Sequence, residues 1–357
     1  MYISRVEISH FRNLVSTSLS PSPTLNLICG GNGSGKSSLL EAVHYSLTGI
    51  SYRTNRLSTV TNNQADCLSL FCELKGNVSH KVGLSRCRDL NHKTRLDGQD
   101  VTRRSELVQL VPIQLISPES LSLITEGSDL RRSYLDWGLF HVEQSFHFHL
   151  SHYQRSLRQR NAQLKQSLSN TLSQWDALLV DHGIVIDSLR RGVIEKLEPL
   201  AHRLLKQILP DVPISLSYRS GWPKDLDFSE ALRQAVESDR KNHHTTVGPH
   251  RADLLVRTNG IKVSDSLSRG QIKLITVALK LAQILLVQES TDKKPIILID
   301  DMAAELDPEH RELLMNTLQS LNTQVFVTTP DINLIPHNEW AGRKVFHVEH
   351  GKIKEVV

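Results

Sequence analysis

Four cysteines in 357 residues, none in a CxxC pair, leave no zinc ribbon and no disulfide framework of the kind that staples small secreted domains. Cys29, Cys67, Cys72 and Cys87 therefore read as reduced thiols. The N-terminus lacks a basic region followed by a long apolar stretch; Met1 to Ile8 alternates apolar and polar residues as a strand does. The most apolar helix-like run, Ile272 to Val287, is interrupted by Lys273, Lys280 and Gln283, so no stretch reaches the about 20 apolar residues that cross a bilayer. With no export signal and no membrane span, the expected location is the cytoplasm. Internal repeats and low-complexity tracts are absent, and so is a strong charge of one sign. The 42 Lys and Arg stand against 38 Asp and Glu, a net charge of +4, so only local clustering of basic residues can point to a polyanionic partner.

What is present is an ordinary globular composition, 39% hydrophobic and 22% charged, in a chain long enough for two domains. Residues 1 to about 116 read as short strands with one helix from Lys36 to about Leu47. Cys67–Leu74 and Val78–Leu84 read as neighbouring strands turned at Gly76-Asn77, with a further turn at Asp97-Gly98. From about Pro118 to Leu209 the apolar period changes from two to about 3.6, which predicts an antiparallel helical pair with Pro199 kinking a helix or beginning a new one. Beyond Pro213 come a strand at Ile214–Tyr218, a helix at Phe228–Lys241 and a strand at Ala252–Arg257. A helix (Gln271–Val287), a buried strand (Pro295–Ile299), a helix (Pro308–Leu321) and a strand (Gln324–Thr328) then follow in the order of a parallel α/β sheet.

Gly30-Gly31-Asn32-Gly33-Ser34-Gly35-Lys36-Ser37 matches G-x-x-x-x-G-K-[ST] between the strand Leu25–Ile28 and a helix that continues with Ser38. That context makes it a P-loop. Its glycines let the backbone wrap phosphates, Lys36 reaches the β- and γ-oxygens of ATP, and Ser37 ligates Mg²⁺. Ile296-Ile297-Leu298-Ile299-Asp300-Asp301 is an apolar run ending in acids, the form of a Walker B strand. Asp300 is expected to hold the metal directly or through water, and Asp301 to orient or deprotonate the attacking water. The 300 − 36 = 264 residues between Lys36 and Asp300 exceed what one nucleotide-binding unit needs, so a domain is inserted between them. Leu267-Ser268-Arg269-Gly270-Gln271 before a long helix resembles the ABC signature motif, an anion site at a helix N-terminus or, taken alone, a plain N-cap. In the ABC/SMC class that motif meets ATP held by an opposite protomer, and Ala304-Glu305-Leu306-Asp307 resembles the D-loop of the same interface.

With these motifs in place the chain resembles the RecF family of recombination-repair ATPases from end to end. His10-Phe11-Arg12-Asn13 resembles the family's N-terminal segment, which places Arg12 and Asn13 near nucleotide phosphates; Gly127 to Asp136, Gly248 to Leu254 and Arg269 within the signature carry the likeness further. The resemblance implies an α/β, ABC-type P-loop ATPase head with an inserted α-helical domain. The expected bounds are 1–117 and 214–357 for the head and 118–213 for the insert. It also implies an ATP-dependent homodimer on double-stranded and gapped DNA, slow hydrolysis, and RecR as partner, with RecO, RecA and SSB in the pathway. Asp301 stands where the wider class has a longer Glu, consistent with weak turnover. No His follows the strand Gln324–Thr328, and the Q-loop falls at Gln114 or at Ser117-Pro118-Glu119.

Residues 75–104 carry eight Lys or Arg against three Asp, and Lys81, Arg86, Arg88, Lys93, Arg95, Arg103 and Arg104 are the candidate DNA contacts; an ordinary solvated surface explains them equally well. Arg131, Arg132, Arg155, Arg158, Arg160 and Lys165 form a second basic cluster. His141, His147, His149 and His152 lack the acids or cysteines that complete a metal site. Two other functions compete. An ABC-type module driving a non-DNA assembly is disfavoured by Arg269, the insertion and the absent membrane segment, and a small-molecule kinase has no use for a signature motif.

Overall fold

The computed structural model describes residues 1–89, 91–166, 172–301 and 305–356. The chain divides into two compact units, Met1–Glu119 with Asp292–Val357, and Ser120–Thr291.

The first unit holds two six-stranded sheets. One is antiparallel, in the order Leu14–Leu19, Tyr2–Phe11, Cys67–Lys75, His80–Cys87, His92–Leu96, Gln99–Asp100. The other runs Lys352–Glu355, Lys344–Glu349, Leu25–Cys29, Val325–Thr329, Ile296–Ile299, Ile113–Ile116, parallel apart from the hairpin formed by its first two strands. All four residues of Ile296–Ile299 are buried, because a parallel interior strand is covered on both faces and needs no polar alternation. The helix Lys36–Thr48 shares a single core with both sheets: Leu39, Leu40 and Val43 are buried with Val6 and Leu70 of the first and Ile28, Leu298 and Phe326 of the second. Gly49 ends that helix in the left-handed region, where a residue without Cβ avoids strain. The expected turn at Asp97-Gly98 is present, with both residues at positive φ, whereas the strands Lys344–Glu349 and Lys352–Glu355 escape the sequence reading.

In the second unit, helices Ser128–Val142 and Leu172–Ile208 pack against a three-stranded antiparallel sheet of Ile214–Arg219, Asp253–Thr258 and Ile261–Lys262, and Phe146–Lys165 packs on Leu172–Ile208. The return to the head expected at residue 214 therefore falls at 292, and the insert is not purely helical. The Arg131 Nε donating to Asp253 Oδ1 and the Tyr134 hydroxyl donating to the Leu279 carbonyl, each at 2.7 Å, tie this later segment to the helices. Leu172–Ile208 runs through Pro199 as one helix, and the helix expected at Phe228–Lys241 is two, Phe228–Gln234 and Val236–Asn242. Arg269–Ser290 has the length and composition of a membrane span, yet 72% of its most apolar window is buried inside the protein, as for a core helix.

One expectation fails outright. Cys67 and Cys87 stand directly opposite each other in the hairpin register, with Cα atoms 4.0 Å apart, and form a disulfide; Cys29 and Cys72 remain free. Motif spacing cannot foresee this pairing, because register across a hairpin, not closeness in sequence, brings the two sulfurs together. Thiol titration of the unfolded, unreduced protein should find two reactive thiols, and four after reduction; four before reduction would exclude the bridge.

Candidate nucleotide-binding site

The P-loop leaves the C-terminal end of the parallel strand Leu25–Cys29, where ligands bind in open α/β sheets. Gly30 lies at φ 151°, and a Cβ there would come within 2.2 Å of the Val348 carbonyl oxygen. Gly35, at φ 120°, leaves room for the Asn13 amide, which a Cβ would meet at 2.8 Å; Asn13 Nδ2 donates to the Ser34 carbonyl at 3.2 Å. Lys36, 4% exposed, donates from Nζ to the carbonyls of Gly30 at 3.0 Å and Gly31 at 3.1 Å. Ser34 Oγ is buried without a hydrogen-bond partner among the described residues.

Beside the loop is a pocket of about 380 Å³ lined by Arg12, Asn13, Asn32, Gly33, Gly35, Lys36, Ser37, Ser38, Arg53 and Asp301. Three cations, the amides of a P-loop and the first turn of a helix make a donor set for a polyphosphate. Arg12 is held there by a buried carboxylate, donating from Nε to Glu41 Oε2 at 2.5 Å and from Nη2 to Oε1 at 2.8 Å. Ser37 Oγ donates to Asp300 Oδ1 at 3.0 Å and keeps its lone pairs open, so a hydroxyl backed by a carboxylate that can hold the metal directly or through water makes a hard oxygen set that fits Mg²⁺.

Val325–Thr329 lies between the P-loop strand and the Walker B strand, and its Thr328 tethers both acids. The Thr328 hydroxyl accepts from the Asp301 backbone N–H at 2.8 Å and lies 2.8 Å from Asp300 Oδ1 and 3.3 Å from Asp301 Oδ1. Tyr52 donates to Asp300 Oδ2 at 3.1 Å. Burial pushes the Asp300 carboxyl up from its ordinary range, opposed by hydrogen bonds from Thr328, Ser37 and Tyr52. The Tyr52 phenol is also pushed up, by burial first and then by Asp300, which keeps it a donor. Arg53, Tyr52, Glu41 and Thr328 were missed from sequence. Thr328 is marked in the sequence only as the end of the strand that follows Walker B.

The other expected residues are dispersed. Gln114 is buried within the strand Ile113–Ile116 and does not line the pocket. Ser268 caps the helix Arg269–Ser290 in a capping box: its Oγ accepts from Gln271 N–H at 3.3 Å, and Gln271 Oε1 accepts from Ser268 N–H at 3.0 Å. Ser268, Arg269 and Gly270 are exposed, in the second unit. Asp307 caps Pro308–Ser320 by accepting from His310 N–H at 3.0 Å, while Ala304 lies outside the described residues.

Period-two alternation splits the first basic cluster. Lys81, Lys93 and Arg95 point outward, Arg95 to Asp100 at 3.0 Å, and Arg88 and Arg103 are also exposed. Arg86 faces inward, donating to the Ser85 and Lys93 carbonyls and to Thr94 Oγ1 at 2.7–2.9 Å. Arg86 and Arg104 flank Gly49 at the negative end of the P-loop helix, a structural use of their charge. The second cluster divides: Arg160 is fully buried between Asp176 and Asp239, Arg131 pairs with Asp253 and Arg132 with Asp129, whereas Arg155, Arg158 and Lys165 are exposed. His149 meets His182 at 3.1 Å, and no metal-holding group occurs among the described residues.

The family model described as RecF/RecN/SMC N terminal domain matches residues 2–354. Proteins named DNA replication and repair protein RecF from Shewanella amazonensis and Shewanella denitrificans are 38% and 39% identical, each alignment covering 99% of both chains. A solved structure of the recombination mediator protein RecF with ATP, in the RecFOR pathway, has a TM-score of 0.89 at 25% identity, covering 100% of this chain and 98% of that one. An Smc head bound to the C-winged helix domain of ScpA reaches 0.61 at 16% identity, covering 100% of this chain and 97% of that one, a likeness of fold. The protein is an α/β P-loop ATPase head of the ABC/SMC class. Matched along its whole length, the chain belongs to the RecF family.

Proposed function

We propose that the chain binds ATP with Mg²⁺ at Gly30–Ser38, dimerises over two nucleotides, and in that state grips double-stranded DNA beside single-strand gaps during repair and replication. The observation that carries this reading is the pocket itself, where Arg12, Lys36, Arg53 and Ser37 converge with Asp301. Lys36 and the loop amides hold the β- and γ-phosphates, Arg12 and Arg53 balance their charge, and Ser37 with Asp300 seats the metal. Bound Mg²⁺ supplies charge neutralisation on the phosphate oxygens. Asp301, fixed through Thr328, orients or deprotonates the water. Its short side chain favours slow hydrolysis and a timed release.

Gly270 supports the partner protomer's role. A Cβ there would find nothing nearer than Ser268 Oγ at 3.9 Å, although glycine in a helix is worse than alanine by roughly 0.5–1 kcal/mol. Among the described residues nothing requires that glycine, whereas close approach of a phosphate does. Family membership supports RecR as partner and a place upstream of RecA loading at SSB-coated gaps, together with RecO.

Lys81, Lys93 and Arg95 are the DNA contacts that their outward side chains favour. The test is retention of gapped duplex with ATP. Charge reversal of Lys93 and Arg95 together should weaken binding about tenfold or more and flatten its salt dependence by about two phosphate contacts. Retention equal to wild type would remove this face from the interface.

A further inference from the structure

Asp300 sits in an asymmetric cage. Its Oδ1 accepts from Ser37 Oγ at 3.0 Å and from Thr328 Oγ1 at 2.8 Å, whereas among the described residues Oδ2 has one partner, the Tyr52 hydroxyl at 3.1 Å. Tyr52 is well anchored. It follows Ser51, whose Oγ donates to the buried Glu41 at 2.5 Å and accepts from the backbone N–H groups of Arg53 and Thr54, each at 3.0 Å. Its ring meets His44 edge-on, with centroids 5.4 Å apart. One carboxylate, Glu41, thereby fixes both Arg12 and the turn that carries Tyr52.

We propose that Tyr52 is a positioning residue for the metal site, locking the Asp300 carboxylate so that Oδ1 faces Ser37; this rests on the ATP and Mg²⁺ reading above. A carboxylate turns about its last torsion at little cost unless both oxygens are held. Ser37 can give its proton to Asp300 Oδ1 and keep its lone pairs for a cation, but only while Oδ1 stays in place. With the phenol gone, Oδ2 is left in a buried site without a donor, and the carboxylate is free to rotate away. Hydrogen bonds behind a metal ligand commonly change metal affinity by about 10- to 100-fold when removed.

Tyr52→Phe keeps the ring on His44 and removes only the hydroxyl. Binding of a fluorescent, non-hydrolysable ATP analogue, titrated with Mg²⁺, should show the Mg²⁺ half-saturation point raised about tenfold. Analogue binding in excess chelator and the thermal unfolding midpoint should match wild type. In an Asp300→Asn background the same substitution should add nothing, because its effect passes through the carboxylate. A half-saturation point within twofold of wild type would overturn the proposal. So would an equal loss of metal-free binding, or an undiminished effect in the Asp300→Asn background. Wild-type protein that binds no analogue would instead defeat the ATP reading itself.

Discussion

Lys36→Met should lower ATP affinity by about 100-fold or more while leaving the protein folded. Lys36 is 4% exposed and its ammonium donates to two loop carbonyls, Gly30 and Gly31, with no carboxylate as partner among the described residues. Methionine keeps the length and packing of the stem, so the fold loses two hydrogen bonds of about 1 kcal/mol each, less whatever water supplies. A bound triphosphate loses much more, because one half of a desolvated charge pair disappears, at about 2–5 kcal/mol. Titration with a fluorescent ATP analogue reads the affinity and a thermal melt reads the fold. An affinity within threefold of wild type would mean that nucleotide binds elsewhere.

The second large effect should come from Ser268→Arg, which is expected to abolish the ATP-dependent doubling of molecular mass while the monomer still binds ATP. Ser268 is exposed, and its known contacts are the capping box with Gln271. Loss of an N-cap costs about 0.5–2 kcal/mol, which the buried apolar side chains of Arg269–Ser290 can absorb. Ser268→Asp separates the two roles. Aspartate caps as well as serine but brings negative charge to the proposed phosphate contact, so it too should remain monomeric with ATP. Light scattering with ATP and duplex DNA decides the matter. Dimerisation of Ser268→Arg at wild-type nucleotide concentrations would refute a signature acting across protomers.

The glycine-rich turn, the apolar strand ending in acids and the capped helix start at Ser268 were legible because each is local. Glycines at positive φ, an apolar run ending in acids and a capped helix start are written in consecutive residues, and their chemistry follows from backbone conformation. Arg12 was legible only through family likeness. Its partner Glu41 lies within the P-loop helix, where a buried acid looks like any helix residue.

By itself, then, the sequence determined the family and the local elements of the candidate site, since both rest on contiguous motifs with fixed geometry. Tertiary structure decided everything that depends on register and strand order. It placed Thr328 beside both acids because Val325–Thr329 lies next to the Walker B strand, and it brought Tyr52 onto Asp300 from 248 residues away. It joined Cys67 to Cys87 by hairpin register and turned Arg86 inward while Lys93 faces out. It also assigned 214–291 to the second unit, because Asp253 and Leu279 find their partners, Arg131 and Tyr134, on the helix Ser128–Val142. Pairings of this kind are set by packing across long separations, and no single stretch of sequence encodes them.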